Sequence, residues 1–147
     1  MKITICGSIA FYDEMSDVKK KLEDMGYQVE LPPHEVKDEN GIMIPVKEYY
    51  ERRKATTDDR GWIWERKSEA IAWHNKKIEL GDVVLVLNYD KNGVPGYIGG
   101  NTLMEMGVAF FLNKPIYLLQ QIPEISYKEE VLGMKPVVLM GDLGMLL

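Results

Sequence analysis

One stretch limits the fold more than any other: VVLVL at residues 83–87, held between Asp82 and Asn88. Five apolar residues in succession, three of them β-branched, show none of the alternation of a half-exposed strand. A strand apolar on both faces is covered on both faces, which is the pattern of a central parallel strand. Parallel strands need helical crossovers, so the flanking chain has to alternate strand and helix. Downstream lies GYIGGNTLMEMG, residues 96–107, in which Gly96, Gly99 and Gly100 form a loop that backbone can bring close to a ligand. Asn101 and Thr102 then open a helix, with Glu105 placed in its first turn. Strand, glycine loop and helix N-terminus are where open α/β sheets hold ligands, and the helix amides favour an anion there.

Two readings of Glu105 stand side by side. Thr102-Leu-Met-Glu105 fits a capping box, in which the carboxylate folds back to its own helix start. Alternatively, an ionised carboxylate at this place is a nucleophile.

The chain has 147 residues, the size of one domain, and we read residues 1–147 as a single domain with an insertion at about 34–61. A net charge of −5 argues against a nucleic-acid polymer as partner. No apolar run approaches the ~20 residues of a membrane span, and a lone lysine before a short strand does not make a signal peptide. The expectation is a cytoplasmic protein without membrane contact. One cysteine, Cys6, excludes an internal disulfide, and with two histidines it leaves too few ligands for a four-ligand zinc site. Neither metal nor cofactor is expected.

In chain order, KITIC (residues 2–6) reads as the first strand and GSIAFYDE (7–14) as the first β-to-α loop. Cys6 reads as a small core residue. Ser8 offers a hydroxyl, and Phe11 either stacks on a planar ligand or fills the core. Met15, Val18, Leu22 and Met25 recur at helical spacing over 13–25, and YQVELP (27–32) is the second strand. Residues 34–61 are polar, with a helix at 46–55 whose Arg52 and Arg53 either reach a phosphate or face solvent. A long helix over 62–80 carries His74 on its inward face, either buried or at the ligand end of the sheet. Asn88 and Asp90 follow at the carboxyl end of the third strand, in reach of the site or simply forming turns. A helix over 102–113, a strand at 115–119, a helix over 124–132 and a strand at 136–140 complete the chain. The resulting architecture is an α/β, Rossmann-like or flavodoxin-like three-layer sandwich, with a five-stranded parallel sheet in the order 2-1-3-4-5. Its switch point sets Gly7 and Ser8 beside Asn88 and the glycine loop.

The strand end CGSI (6–9), the GDVVLVLN strand and the glycine loop leading into MEMG (104–107) resemble the nucleoside 2-deoxyribosyltransferase superfamily, which includes 2′-deoxynucleoside 5′-phosphate N-hydrolases. The resemblance covers roughly residues 2–31 and 70–119. It implies a Rossmann-like fold and cleavage or exchange of the N-glycosidic bond of nucleosides or nucleotides. It also implies that Glu105, followed by Met106 and Gly107, is the nucleophile that takes the sugar. His74 stands where the superfamily often has an acid near the leaving base, and Ala10 and Phe11 stand where the hydrolases carry a phosphate-holding arginine. GGNTLME also resembles the Gly-Gly-x-Gly-Thr-x-x-Glu signature of phosphoribohydrolases that release cytokinin bases, with Asn101 in place of a glycine.

On this resemblance Glu105 forms the glycosyl-enzyme, and His74 or Asp90 is the acid or the orienting partner. Gly7, Ser8 and Ile9 frame the sugar, with Phe11 and Asn88 nearby, while Gly99, Gly100 and Asn101 present amides to a hydroxyl or phosphate. The partner is a small-molecule nucleoside or nucleotide. The alternative function is a non-catalytic nucleotide-binding or sensor module. A homo-oligomer, most simply a dimer, is expected as well. Trp62 and Trp64 lie ~160° apart around a helix, so one of them needs cover from Tyr49 and Tyr50 or from a partner subunit.

Overall fold

The computed structural model describes residues 1–146. Its central sheet is parallel, in the spatial order β2-β1-β5-β6-β7. The strands are β1 (Lys2–Gly7), β2 (Gln28–Glu30), β5 (Val83–Leu87), β6 (Ile116–Leu118) and β7 (Val137–Val138). Counted along the chain within this sheet, the order is the expected 2-1-3-4-5. VVLVL is buried at every position, as its sequence demands, and lies between β1 and β6 with Cys6 opposite Val86 and Val84 opposite Ile116.

Period-two alternation of side chains builds two cores from one sheet. Ile3, Ile5, Leu85 and Leu87 face α1 (Tyr12–Asp24), meeting Met15, Val18 and Leu22. Cys6, Val84, Val86 and Leu118 face the other way. There they meet Ile78 of α3 (Trp62–Leu80), Met106 and Ala109 of α4 (Gly100–Phe111), and Val131 of α5 (Lys128–Gly133). The result is the three-layer sandwich. Cys6, next to last in β1, lies on the same side as α3 and α4, and this brings it to the site.

The segment 34–61 holds structure that the sequence did not announce. β3 (Glu35–Lys37) and β4 (Met43–Pro45) form an antiparallel hairpin outside the main sheet. Asp38 ties its turn, since its carboxylate accepts from the Asn40 and Ile42 amides at 2.8 and 2.9 Å. The hairpin leads into α2 (Val46–Ala55), which packs against the turn at residues 9–11. Three-residue strands with polar neighbours carry too little pattern to be read. α5 starts at Lys128 rather than 124, and Tyr127, at its N-cap, donates its hydroxyl hydrogen to the Ile98 carbonyl. Leu147, part of the expected C-terminal segment, lies outside the described residues. Among the described residues no helix is long and apolar enough to cross a membrane.

Candidate active site

α4 begins two residues earlier than its sequence suggests. Gly99 is the N-cap and no side chain caps the helix. The first intrahelical bond runs from the Leu103 amide to the Gly99 carbonyl at 2.9 Å. Thr102 is therefore inside the first turn and Glu105 in the second, so the expected capping box does not form. The poor helix formers Gly100 and Asn101 hide the true start in the sequence. The freed Glu105 side chain is buried and points into the fold, where it meets β1 and α3.

Three side chains converge there. His74 Nε2 lies 3.5 Å from Glu105 Oε2 and 3.4 Å from Cys6 Sγ. All three residues are at most 5% exposed. Burial governs their protonation. It pushes Glu105 up to about 8, with Lys67 opposing the rise, and holds His74 down to about 4. Burial also pushes the Cys6 thiol up, and the neighbouring Glu105 adds to it. At neutral pH the His74–Glu105 contact is thus between two uncharged groups and is not an ion pair. His74 Nδ1 is buried beside the Ile5 backbone without a hydrogen-bond partner in good geometry.

Glu105 and His74 line a narrow cavity of about 50 Å³, shared with Gly7, Ile9, Asn101 and Lys67. It adjoins a second cavity of about 150 Å³ that takes in Ser8, Gly99, Gly100 and Thr102. Four cationic side chains, Arg53, Lys54, Lys67 and Lys91, and no carboxylate line this second space. Lys91 Nζ donates to Ser8 Oγ and to the Tyr50 hydroxyl, each at 2.9 Å. Burial pushes the Tyr50 phenol up, but Lys91 outweighs it and the net shift is downward. Arg53 stacks over the Tyr50 ring at 5.2 Å. Lys67 donates to Asn101 Oδ1 at 2.8 Å. Burial pulls its ammonium down to about 8, and Arg53 adds to that. The amides of the first α4 turn, which lack partners within the helix, open on the same space. A positive helix end ringed by cations, in a chain of net charge −5, has electrostatics that favour an anion.

The structure brings Glu105, His74, Gly7, Ser8, Ile9, Gly99, Gly100 and Asn101 around these two cavities. It does not bring Asp90, Asn88 or Phe11 there. Asp90 Oδ1 accepts from the Gly96 amide at 3.0 Å and fixes its own loop. Asn88 is buried and fully used: Nδ2 donates to the carbonyls of Gly96, Gln120 and Gln121, and Oδ1 accepts from the Gln120 amide. Phe11 packs on Tyr89 with ring centroids 5.2 Å apart. Of the two arginines in α2, Arg53 faces the site, while Arg52 lies 3.5 Å from Glu48 on the surface. Tyr50, Lys54, Lys67, Lys91 and Cys6 carry no signal in sequence that sets them apart from solvated or core residues.

No protein-family model matches the chain, and no curated protein sequence does either. Solved structures do match. A 2-deoxyribosyltransferase from Bacillus psychrosaccharolyticus is 18% identical with a TM-score of 0.46, over 80% of this chain and 71% of its own. A CMP N-glycosidase from Clostridium botulinum is 15% identical with a TM-score of 0.49, over 94% and 85%. A conserved protein from Enterococcus faecalis V583 is 17% identical with a TM-score of 0.50, over 82% and 64%. The likeness is one of fold.

Proposed function

We propose that the protein cleaves or transfers the N-glycosidic bond of a nucleoside 5′-monophosphate, with Glu105 as nucleophile. The observation that carries this reading is the adjacency of two unlike spaces: a buried carboxyl with its imidazole partner, and a four-cation pocket at an uncapped helix N-terminus. Names of structures with a similar fold, a 2-deoxyribosyltransferase and a CMP N-glycosidase, agree with it. The arginine that the hydrolases carry after the first strand is absent, and Lys91 with Arg53 and Lys54 supplies the positive charge instead.

Glu105 gives up its proton and its oxygen attacks the anomeric carbon. The C–N bond breaks through an oxocarbenium-like state and its electron pair goes to the base. The departing base takes its proton from solvent, where Glu105 has left its own, and His74 Nε2 is the relay nearest the carboxylate. His74 is an orienting and relaying partner rather than a standing acid, because its imidazole is neutral above about pH 4. Water or a second base then opens the glycosyl ester and frees Glu105. Both cavities are smaller than the ~300 Å³ at which small-molecule sites begin, and the hairpin and α2 contribute Val36, Tyr49, Tyr50, Arg53 and Lys54 to their walls. We read residues 34–61 as an insertion into a single domain, and the chain as a homo-oligomer. Phe111 is 82% exposed, and Trp73, Phe110 and Met104 are exposed with it on α3 and α4.

A screen of nucleosides and their 5′-monophosphates, with free base detected by chromatography, tests the reading. Base release from monophosphates without an acceptor identifies a hydrolase, and dependence on an added base identifies a transferase. The narrowness of the cavity and the protonated state of Glu105 favour a second reading, a nucleotide-binding module without turnover. Saturable binding with no base released under either condition selects it.

A further inference from the structure

We propose that Cys6, His74 and Glu105 form a three-donor binding site for a soft divalent cation of the zinc class. The donors come from three separate elements, β1, α3 and α4, and their ligand atoms lie within 4.8 Å of one another. Cys6 Sγ to His74 Nε2 is 3.4 Å and His74 Nε2 to Glu105 Oε2 is 3.5 Å. Bonds of about 2.3 Å to sulfur and about 2.0–2.2 Å to nitrogen and oxygen, opened at tetrahedral angles, set donors about 3.3–3.6 Å apart. Two of the three donor pairs therefore stand at the spacing an ion requires, and the third lies within 4.8 Å.

Donor chemistry selects the ion. Thiolate, imidazole and one carboxylate suit zinc or cobalt(II). Magnesium and calcium require six or more oxygen ligands, which this pocket does not offer. Too few histidines and cysteines exist in the chain for a closed four-ligand site, but three protein ligands and an open fourth position need no more. The open position faces the cavity that His74 and Glu105 line. The charges also balance: the ion displaces one proton from the thiol and one from the carboxyl, and the buried complex is neutral. His74 Nδ1, lacking a good partner now, becomes the protonated nitrogen, next to the Ile5 backbone.

The metal site shares His74 and Glu105 with the proposed reaction, and one consequence rests on that reading: a carboxylate held by an ion cannot attack a sugar. The test uses the full chain, stripped with a chelator and desalted. Titration with zinc should show one equivalent retained through gel filtration. Titration with cobalt(II) should show a thiolate-to-metal absorption band in the near ultraviolet. Cys6→Ser should remove the band and weaken zinc binding by at least about 10-fold, the lower end of what even an outer-shell change costs. Should Cys6→Ser fail to fold, His74→Gln and Glu105→Gln should each weaken zinc binding comparably. Absence of retained zinc in the wild type overturns the proposal, as does a cobalt band unchanged by Cys6→Ser. If zinc binds but leaves base release unchanged, the nucleophile assignment fails and the metal site stands. If no zinc binds while Glu105→Gln abolishes turnover, the reverse holds.

Discussion

Glu105 is a carboxyl kept protonated by burial, and that fixes both its reactivity and its cost. As a nucleophile it must be ionised, so kcat/KM in metal-free buffer should rise with pH through about 8. Lys67 draws the value down, so Lys67→Gln should move the rise to higher pH, which a pH–rate profile will show. Stability runs the other way. The folded value of about 8 stands above the ordinary 4.5, so the group's contribution is intact below 4.5 and is lost as pH climbs to 8. The loss is up to about 1.4 kcal/mol per pH unit across that window. Glu105→Gln carries no such charge. It should gain stability over wild type at pH 8 relative to pH 4.5 in denaturant titrations, while turnover falls by orders of magnitude. His74 has the opposite sign. Its value is depressed from 6.5 to about 4, so its contribution is present above 6.5 and fades as acid is added.

At the scale of elements, the loop after β5 is held by Asn88. Removing that amide leaves three carbonyls and one backbone N–H without their partner. At about 1–3 kcal/mol for each group left truly unsatisfied, with water recovering some, Asn88→Ala should cost about 3 kcal/mol in equilibrium unfolding. Gly96 shares the constraint, with φ +68° and a Cβ position 2.4 Å from the Gln121 carbonyl oxygen. The same loop shows where sequence reading stops. The place of Asn88 and Asp90 at a strand's carboxyl end is legible, but which way their side chains turn depends on carbonyls from residues 96, 120 and 121. α2 and α3 are legible to the residue, because Pro45 and the Thr56–Asp59 cluster bound one and Gly61 and Gly81 bound the other. Glu105 and His74 are legible as candidates. Their meeting with Cys6 is not, since it depends on the packing of α3 against α4.

For the whole molecule, charge is distributed against its own sum. The chain is acidic, with a net charge of −5, yet the cleft gathers Arg53, Lys54, Lys67 and Lys91. An anionic ligand is drawn in by this local field, which salt screens with a Debye length of ~8 Å at physiological ionic strength. Arg53→Ala and Lys91→Ala should therefore raise KM for a 5′-monophosphate by about 10-fold or more, given ~1.5–3 kcal/mol for a hydrogen bond to a charged group. KM for the unphosphorylated nucleoside should change little. If the proposed homo-oligomer forms through the exposed face of α3 and α4, Phe111→Glu should lower the mass to that of a monomer in light scattering; a wild-type protein that is monomeric across the micromolar range removes the oligomer from the reading. The segment 34–61 has its own hairpin and helix, and it delivers Tyr50, Arg53 and Lys54, whereas Cys6, His74 and Glu105 ride on the sheet and the helices packed against it. On the proposed function, two of the four cations that meet an anionic guest, Arg53 and Lys54, therefore ride on a stretch of chain separate from the one that bears Glu105 and His74. Exchanging that stretch for another of equal span would re-key admission and leave Glu105 and His74 untouched.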